Sequence, residues 1–194
     1  MIELVVARYQ EDLEWLRAFD ECSDFKVTIY NKGPPIECGP HSVIARPNVG
    51  REAETWLYHC TTRYDTLADH TVFLQGYPFD HTTTPVTPES LRRAVCPYMP
   101  LRRLHTEFSH DEPFPMSKWY AEYLFGACPP VLAFSPGAQY LLSRERIHRH
   151  PPALYTRLHT MCSIETPVIT WSSPVSPTAT NAWILERLWP LVWA

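Results

Sequence analysis

Hydrophobic and polar positions divide the first half of the chain into short β-branched runs and longer stretches with helical spacing. Residues 2–7 form a largely apolar run that is too short for a helix and is typical of a strand buried on both faces. The pattern predicts strands over residues 2–7, 26–30, 42–45 and 69–74, and helices over residues 10–19 and 51–64. Because strands that alternate with helices form parallel sheets, we expect an α/β fold with a Rossmann-like sheet covered by helices on both faces.

The second half of the chain has weaker periodicity. Residues 82–115 are rich in proline and are predicted to cross the sheet as an irregular excursion, with one short helix at residues 88–95. Beyond them, the pattern predicts strands over residues 131–134 and 138–142 and helices over residues 118–125, 144–148, 152–162 and 180–193. The last helix carries Trp183, Trp189 and Trp193, which we assign to the core, with a dimer face or a sugar-stacking platform as alternatives. Residues 1–194 are predicted to form a single domain.

Composition excludes several classes of protein. The 194 residues carry 17 Lys+Arg against 21 Asp+Glu, a net charge of -4, which argues against a nucleic-acid partner. No apolar run approaches the roughly 20 residues of a membrane span. The N-terminus lacks the pattern of a signal peptide, so we expect a cytoplasmic protein. The six cysteines include no C-x-x-C pair, which favours reduced, mostly buried thiols over a zinc site.

Known phosphate-binding and nucleophile motifs are missing from the sequence. Neither G-x-x-x-x-G-K-[ST] nor G-x-G-x-x-G occurs, which excludes a P-loop NTPase and disfavours a dinucleotide-binding dehydrogenase. No local pattern marks a Ser-His-Asp or Cys-His nucleophile. The candidate chemistry must therefore be sought in the loops that follow the predicted strands.

Polar residues follow several of these strands. In an open α/β sheet, ligands bind outside the carboxyl ends of the strands, so these residues are expected to share one edge. They are Arg8, Asn31, Lys32, Asn48, Arg51, Gln75, Asp80 and His81. The three cations among them suit an anionic ligand such as a diphosphate, although each taken alone also fits a solvated loop cation.

Asp80 and His81 are adjacent in the loop after the strand at residues 69–74. They fit either a general base or part of a ligand set for Mn²⁺ or Mg²⁺, while Asp80 alone also fits a turn cap. Residues 105–112 resemble a metal-binding segment in composition, but His105 and His110 are five apart and the segment is predicted to be a surface loop. Ser143 is predicted to cap the helix that follows it.

Several segments together resemble an uncharacterised family of small fungal, bacterial and viral proteins. The similarity is carried by VVARYQEDL at residues 5–13, YNKG at 30–33, PNVGREA at 47–53, FLQGYPFDH at 73–81, SRERI at 143–147 and ERLW at 186–189. That family in turn looks like a reduced GT-A glycosyltransferase, so the resemblance implies a single-domain GT-A-type fold and a nucleotide-sugar donor.

The resemblance also implies roles for individual residues. Arg8 and Tyr9 would hold the nucleotide, Asn48-Val49-Gly50 resembles the Asn-x-Gly that opens a helix, and residues 137–145 look like the acceptor-side strand and turn. Glu186 is the nearest match to the late acidic base. With the strand-end residues, the predicted substrate-binding set is Arg8, Tyr9, Lys32, Asn48, Arg51, Gln75, Gly76, Gln139 and Arg144, the catalytic pair is Asp80 and Glu186, and Asp80 and His81 are the metal candidates.

One departure from the GT-A pattern leaves three functions open. Leu74-Gln75-Gly76 stands where the metal-binding Asp-x-Asp is expected. The leading hypothesis is transfer of a sugar from a nucleotide-diphosphate sugar to a hydroxyl of an unidentified glycan, protein or small molecule. The alternatives are a non-catalytic nucleotide- or glycan-binding module, and a metal-dependent hydrolase or phosphotransferase that uses Asp80, His81 and the segment at residues 105–112.

Overall fold

The computed structural model describes residues 1–102, 105–108, 115–163 and 177–193, in a mixed α/β fold. Its strands are β1 (Ile2–Arg8), β2 (Phe25–Asn31), β3 (Ser42–Ala45), β4 (His70–Gln75), β5 (Tyr98–Pro100), β6 (His105–Phe108), β7 (Val131–Phe134) and β8 (Tyr140–Ser143). Its α-helices are α1 (Arg51–Thr62), α2 (Pro88–Ala94), α3 (Pro115–Phe125), α4 (Arg144–Ile147), α5 (Pro152–Ser163) and α6 (Pro177–Trp193). Short 3₁₀ turns form at Glu14–Phe19, Tyr64–Thr66 and Pro78–His81.

Six of the strands form one sheet in the order β3-β2-β1-β4-β8-β5. The first four are parallel, as the alternation of strands and helices predicts. The register pairs Arg8 with Asn31 and Ala7 with Gln75, so the polar residues that end these strands are neighbours. The carboxyl ends of β1, β2 and β4 therefore meet at one edge of the sheet.

The two faces of the sheet are covered differently. One face packs against α1, α5 and α6 in a core that contains Trp56, Phe73, Trp189 and Trp193. The rings of Trp189 and Trp193 stack with centroids 4.2 Å apart, and Trp193 stacks on Phe73 at 5.3 Å. The opposite face is covered by the short helix α2 and the 3₁₀ turn at Glu14–Phe19 with their connecting loops. Both faces therefore carry helical segments, with the long helices on one face and a short helix with a 3₁₀ turn on the other.

Three further expectations need correction. The helix expected at residues 10–19 is a 3₁₀ turn that begins at Glu14. The excursion at residues 82–115 contains two strands, β5 and β6. The proline-rich sequence does not predict them; β5, for example, is only three residues long and ends in Pro100. Strand β8 runs antiparallel to β4, and β5 runs antiparallel to β8, so the sheet is not wholly parallel.

Several local predictions are confirmed. The Ser143 side chain caps α4 by accepting a hydrogen bond from the Arg146 N–H at 3.2 Å. All six cysteines lie in the described part of the chain and carry free thiols, as expected. Only Cys60 and Cys162 are buried, so the expectation of mostly buried thiols is wrong for the other four. Within the described ranges, no helix combines the length and the apolar character that a bilayer span requires.

Replacement of Trp189 by Ala tests the aromatic core. Trp189 is fully buried, so Trp189→Ala should lower the free energy of unfolding by about 3–5 kcal/mol through lost burial and cavity formation. Trp183, on the same helix, is 36% exposed and serves as the matched control, for which Trp183→Ala should cost less than about 1 kcal/mol. Urea denaturation measures both, and equal losses would contradict the assignment of Trp189 to the core.

Candidate functional site

A cavity of about 410 Å³ lies at the edge where β1, β2 and β4 end. Eight residues singled out from the sequence line it, namely Arg8, Tyr9, Lys32, Asn48, Arg51, Gln75, Asp80 and His81. Ala7, Glu11, Glu52 and Tyr77 complete the lining. The topology of the parallel strands brings these residues together from four separate loops, as expected for a ligand site in such a sheet.

Arg8 braces the loops at this edge. Its Nε donates to the Glu11 carbonyl at 2.9 Å, and one terminal nitrogen donates to Asn31 Oδ1 at 2.8 Å. The same nitrogen reaches the carbonyls of Tyr9 and Pro34 at 3.1 and 3.3 Å. Much of the hydrogen-bonding capacity of Arg8 is therefore occupied by the end of β2 and the loops that follow β1 and β2.

Lys32 is a buried cation with partners inside the protein. Its Nζ lies 2.8 Å from Glu54 Oε2 and donates to the carbonyls of Val49 and Arg51 at 2.8 and 2.5 Å. Burial lowers the pKa of Lys32, and the negative charge of Glu54 opposes that effect. Lys32 thus ties the end of β2 to the loop that leads into α1.

Glu54 is the centre of a buried charge network. Besides Lys32, its carboxylate contacts the Arg46 guanidinium and lies 3.0 Å from His159 Nε2 on α5. Burial alone would raise the pKa of Glu54, but the hydrogen bond from His159, the charge and hydrogen bond of Lys32, and the hydrogen bond from Arg46 bring it to about 2. One carboxylate therefore fixes the first turn of α1 against β2, β3 and α5.

The cavity side of the α1 N-terminus has unusual backbone geometry. Gly50 and Arg51 both adopt left-handed conformations, with φ of 60° and 50°. A Cβ at position 50 would lie 2.6 Å from Cys162 Sγ, so only glycine fits there. The Arg51 side chain is 49% exposed, and its Nε is 3.7 Å from Glu52 Oε2. Arg51 is the most accessible of the three predicted cations.

Gln139 holds the loop after β4 through two hydrogen bonds. Its side-chain oxygen accepts from the Gln75 N–H at 3.0 Å, and its side-chain nitrogen donates to the Pro78 carbonyl at 3.0 Å. A Cβ at Gly76 would lie 2.6 Å from Glu11 Oε2, so glycine allows the loops after β1 and β4 to meet. The structure thus places Gln139 and Gly76 behind the cavity wall, where they position the loop.

Asp80 and His81 stand on the 3₁₀ turn Pro78–His81. Asp80 is exposed, and His81 Nδ1 lies 2.8 Å from a terminal nitrogen of Arg102. In the part of the chain that the structure describes, no group of three His, Cys, Asp or Glu side chains is close enough to hold a metal ion.

Glu186 lies behind the cavity on α6. Its Oε1 accepts a hydrogen bond from the Gly137 N–H at 2.6 Å. Burial raises the pKa of Glu186, the Gly137 bond opposes this, and the charges of Glu52 and Arg51 are near enough to contribute. This carboxylate is committed to a backbone partner, unlike that of Asp80.

Arg144 is not brought to the cavity. Strand β8 pairs Ser143 with His70, at the amino end of β4. There the Arg144 side chain donates to Leu67 O and to Asp69 Oδ1, both at 2.8 Å. The antiparallel direction of β8 thus separates Arg144 from the predicted substrate-binding set. Residues 109–112 lie outside the described residues, as do the side chains of residues 105–108.

Comparison with protein families adds one match. A model described as "Protein of unknown function (DUF3431)" matches residues 4–95. Residues 4–95 are therefore similar to this family. No curated protein matches the chain. The DUF3431 segment includes every residue that lines the cavity, whereas Gln139 and Glu186 lie beyond it.

Sequence reasoning missed three residues that shape the cavity and its surroundings. Glu11 accepts from the N–H groups of Tyr9 and Gln10 at 2.6 and 3.1 Å, which turns the chain after β1. Glu54 was concealed on a helix whose acidic residues look solvated, and Arg102 stands in a segment without periodicity. The negative charge in the first turn of α1 was the one available signal for Glu54.

Substitution of Glu54 tests the buried network. Glu54→Gln should lower the free energy of unfolding by about 3–5 kcal/mol, because Lys32 is left as a buried cation without its counter-charge. The folded pKa of about 2 lies below the ordinary value of 4.5, so the carboxylate stabilises fully above pH 4.5 and loses that effect as the pH falls toward 2.

Urea denaturation at several pH values measures this difference. The gap between wild type and Glu54→Gln should narrow on acidification through that window. Glu89→Gln is the control, because the Glu89–Arg93 pair is exposed and should show no such gap. A gap that does not change from pH 5 downward would contradict the role assigned to Glu54.

Proposed function

We propose that the protein is a glycosyltransferase that binds a nucleotide-diphosphate sugar in the cavity at the ends of β1, β2 and β4. The observation that carries this proposal is the convergence on one cavity of seven of the eight predicted strand-end residues, together with Tyr9. Its volume of about 410 Å³ falls in the range of roughly 300–1,000 Å³ that is usual for small-molecule sites. The acceptor stays open between a glycan, a protein and a small molecule.

The order of elements around the cavity supports the proposal. Asn48 and Gly50 immediately precede α1, as the resemblance to GT-A enzymes requires of an Asn-x-Gly. The segment that resembles the acceptor-side strand becomes β8, which pairs with β4. Tyr9 and Tyr77 line the cavity with 45% and 48% of their surface exposed, so each offers a ring face for a base or a sugar.

The charges of the cavity define how a diphosphate would be held. Its formal cations are Arg8, Lys32 and Arg51, and its formal anions are Glu11, Glu52 and Asp80. Because Arg8 and Lys32 are bonded within the protein, we assign the main phosphate contact to Arg51. Neutral donors, such as the side chains of Asn48 and Gln75, would supply further hydrogen bonds.

Asp80 is the better placed of the two predicted bases. Its exposed carboxylate lines the cavity, whereas Glu186 is bonded to Gly137. In the proposed reaction, Asp80 takes the proton of the acceptor hydroxyl as that oxygen bonds to the anomeric carbon. The bond from this carbon to the diphosphate breaks, and the diphosphate leaves with the electron pair. No step is assigned to a metal ion.

A thermal-shift panel of nucleotide-diphosphate sugars tests the binding. A donor at 100 times its Kd should add about 2.7 kcal/mol of stability, a rise in Tm of about 5–10 °C for a chain of this size. Arg51→Ala should weaken binding about 10- to 100-fold through the lost charged hydrogen bond. Arg144→Ala, at the opposite edge of the sheet, should bind like wild type.

The same panel decides the dependence on metal. Each sugar nucleotide is measured with EDTA, Mg²⁺ and Mn²⁺, and the shift should be the same in all three. A shift that requires Mn²⁺ would restore Asp80 and His81 as metal ligands, together with donors outside the described residues. No shift with any compound would reject the proposed donor.

A non-catalytic binding module is the second candidate. It is favoured by the absence of Asp-x-Asp in the sequence and by the internal bonding of Arg8 and Lys32. Asp80→Asn separates the two functions, because loss of a general base should slow product formation about 100-fold or more while donor binding persists. Glu186→Gln is the companion variant. A wild type that binds donor but yields no product would establish the module.

The hydrolase alternative has less support in the described residues. It requires a metal held by Asp80, His81 and the segment at residues 105–112. His81 already has Arg102 at Nδ1, and of that segment only the backbone of β6 is described. The proposal of glycosyl transfer therefore takes precedence.

A further inference from the structure

His81 and Arg102 form a hydrogen bond in which the chemistry of the two side chains identifies the donor and the acceptor. A guanidinium has only N–H donors, so at 2.8 Å the His81 Nδ1 must accept the hydrogen bond. An imidazole that accepts at Nδ1 is neutral and carries its proton on Nε2. The contact thus selects one tautomer of His81.

The backbone around the pair is rigidly joined. The Leu101 carbonyl accepts from the N–H of Thr83 at 2.9 Å and from Thr82 Oγ1 at 2.7 Å, and the Leu101 N–H donates to Gln139 O at 3.0 Å. The residues that follow His81 are thereby tied to the residue that precedes Arg102. The two side chains are held at a common junction, so their contact is built into the fold.

The His81 ring is also confined from its other side. A Cβ at Gly137 would lie 2.5 Å from His81 Cβ and 2.8 Å from Cγ, so glycine is needed for this close approach. The N–H of Gly137 is held by Glu186, which fixes the position of that backbone. Packing against Gly137 and the bond to Arg102 together restrict rotation of the imidazole.

The remaining nitrogen of His81 is open. His81 lines the cavity, and among the residues that the structure describes its Nε2 has no hydrogen-bond partner. A protonated Nε2 donates a hydrogen bond and has no lone pair for a metal or for an acceptor proton. The open position therefore suits an oxygen acceptor on a bound ligand.

We infer that Arg102 is a positioning residue that holds His81 as a neutral Nε2–H donor toward the cavity ligand, and that His81 is neither the general base nor a metal ligand. The ligand oxygen is assigned to a phosphoryl group of a nucleoside diphosphate, which rests on the proposed function. The tautomer of His81 does not depend on that assignment.

Long-range ¹H–¹⁵N correlation spectra of the histidine side chains test the tautomer in the free protein. The His81 signals are identified by their absence in His81→Gln. Near neutral pH, wild type should show an unprotonated Nδ1 and a protonated Nε2 with no averaging between tautomers. Arg102→Met, which keeps the length of the side chain but lacks its donors, should convert these signals to a mixture of tautomers.

Arg93→Met is the matched control, because Arg93 is exposed on α2 and pairs with Glu89. It should leave the His81 signals unchanged. A proton on Nδ1 in wild type would overturn the inference, as would an Arg102→Met spectrum identical to that of wild type. The wild-type result stands even where Arg102→Met fails to fold.

Addition of uridine, adenosine, guanosine or cytidine diphosphate tests the role as donor. The diphosphate that binds should shift the His81 Nε2–H signal. His81→Gln keeps a side-chain N–H and should bind within about 3-fold of wild type, whereas His81→Ala should bind about 10-fold more weakly.

Different results would contradict the donor role of His81 and the proposed function. A diphosphate that binds without moving the Nε2–H signal would overturn the donor role while leaving the proposed function intact. If no diphosphate binds, the proposed function fails, and the tautomer in the free protein still decides whether Arg102 controls His81.

Discussion

The buried ion pair between Lys32 and Glu54 joins the carboxyl edge of the parallel sheet to the first turn of α1. Both side chains are almost fully buried, so each charge depends on the other to offset its loss of hydration. Lys32 also donates to the carbonyls of Val49 and Arg51, which places the left-handed turn beside the cavity. Together with the Arg46 N–H, which donates to the Asn31 carbonyl at 2.8 Å, this pair fixes the loop between β3 and α1 relative to β2.

This arrangement changes the interpretation of the cations at the sheet edge. The sequence places Arg8, Lys32 and Arg51 at one edge and so favours an anionic ligand, but the first two are engaged with protein acceptors. The cavity presents one accessible guanidinium among neutral donors and carboxylates. Directional hydrogen bonds, more than bulk positive charge, must therefore select its ligand.

Much of the fold follows from hydrophobic periodicity. The four parallel strands and the helices α1, α5 and α6 lie close to their predicted limits, because their burial depends on local alternation or helical spacing. The direction of β8 could not be predicted in this way, because it is set by pairing with β4 about 70 residues earlier in the chain, as in Thr71 opposite Leu142. This one unpredicted direction accounts for the misplaced role of Arg144.

The polar residues that organise the site were harder to find because their environment is tertiary. Glu3 stands in a run predicted to be apolar, yet it is buried and accepts from Thr28 Oγ1 at 2.7 Å and pairs with Lys26. Glu54 stands among acidic residues on a helix, a pattern that is typical of a solvated face, yet Glu54 is fully buried. A charge that is satisfied by residues distant in sequence has no local signature.

Both halves of the chain contribute residues to the site. The segment matched to DUF3431 supplies all residues that line the cavity, while three of the residues that support it come from beyond residue 95. Gln139 holds the backbone at Gln75 and Pro78, Gly137 confines the His81 ring, and Arg102 occupies its Nδ1. Because β8 runs antiparallel beside β4, residues 137–139 reach the carboxyl edge just where the loop after β4 needs support. The direction that removes Arg144 from the site is the same one that brings these supports to it.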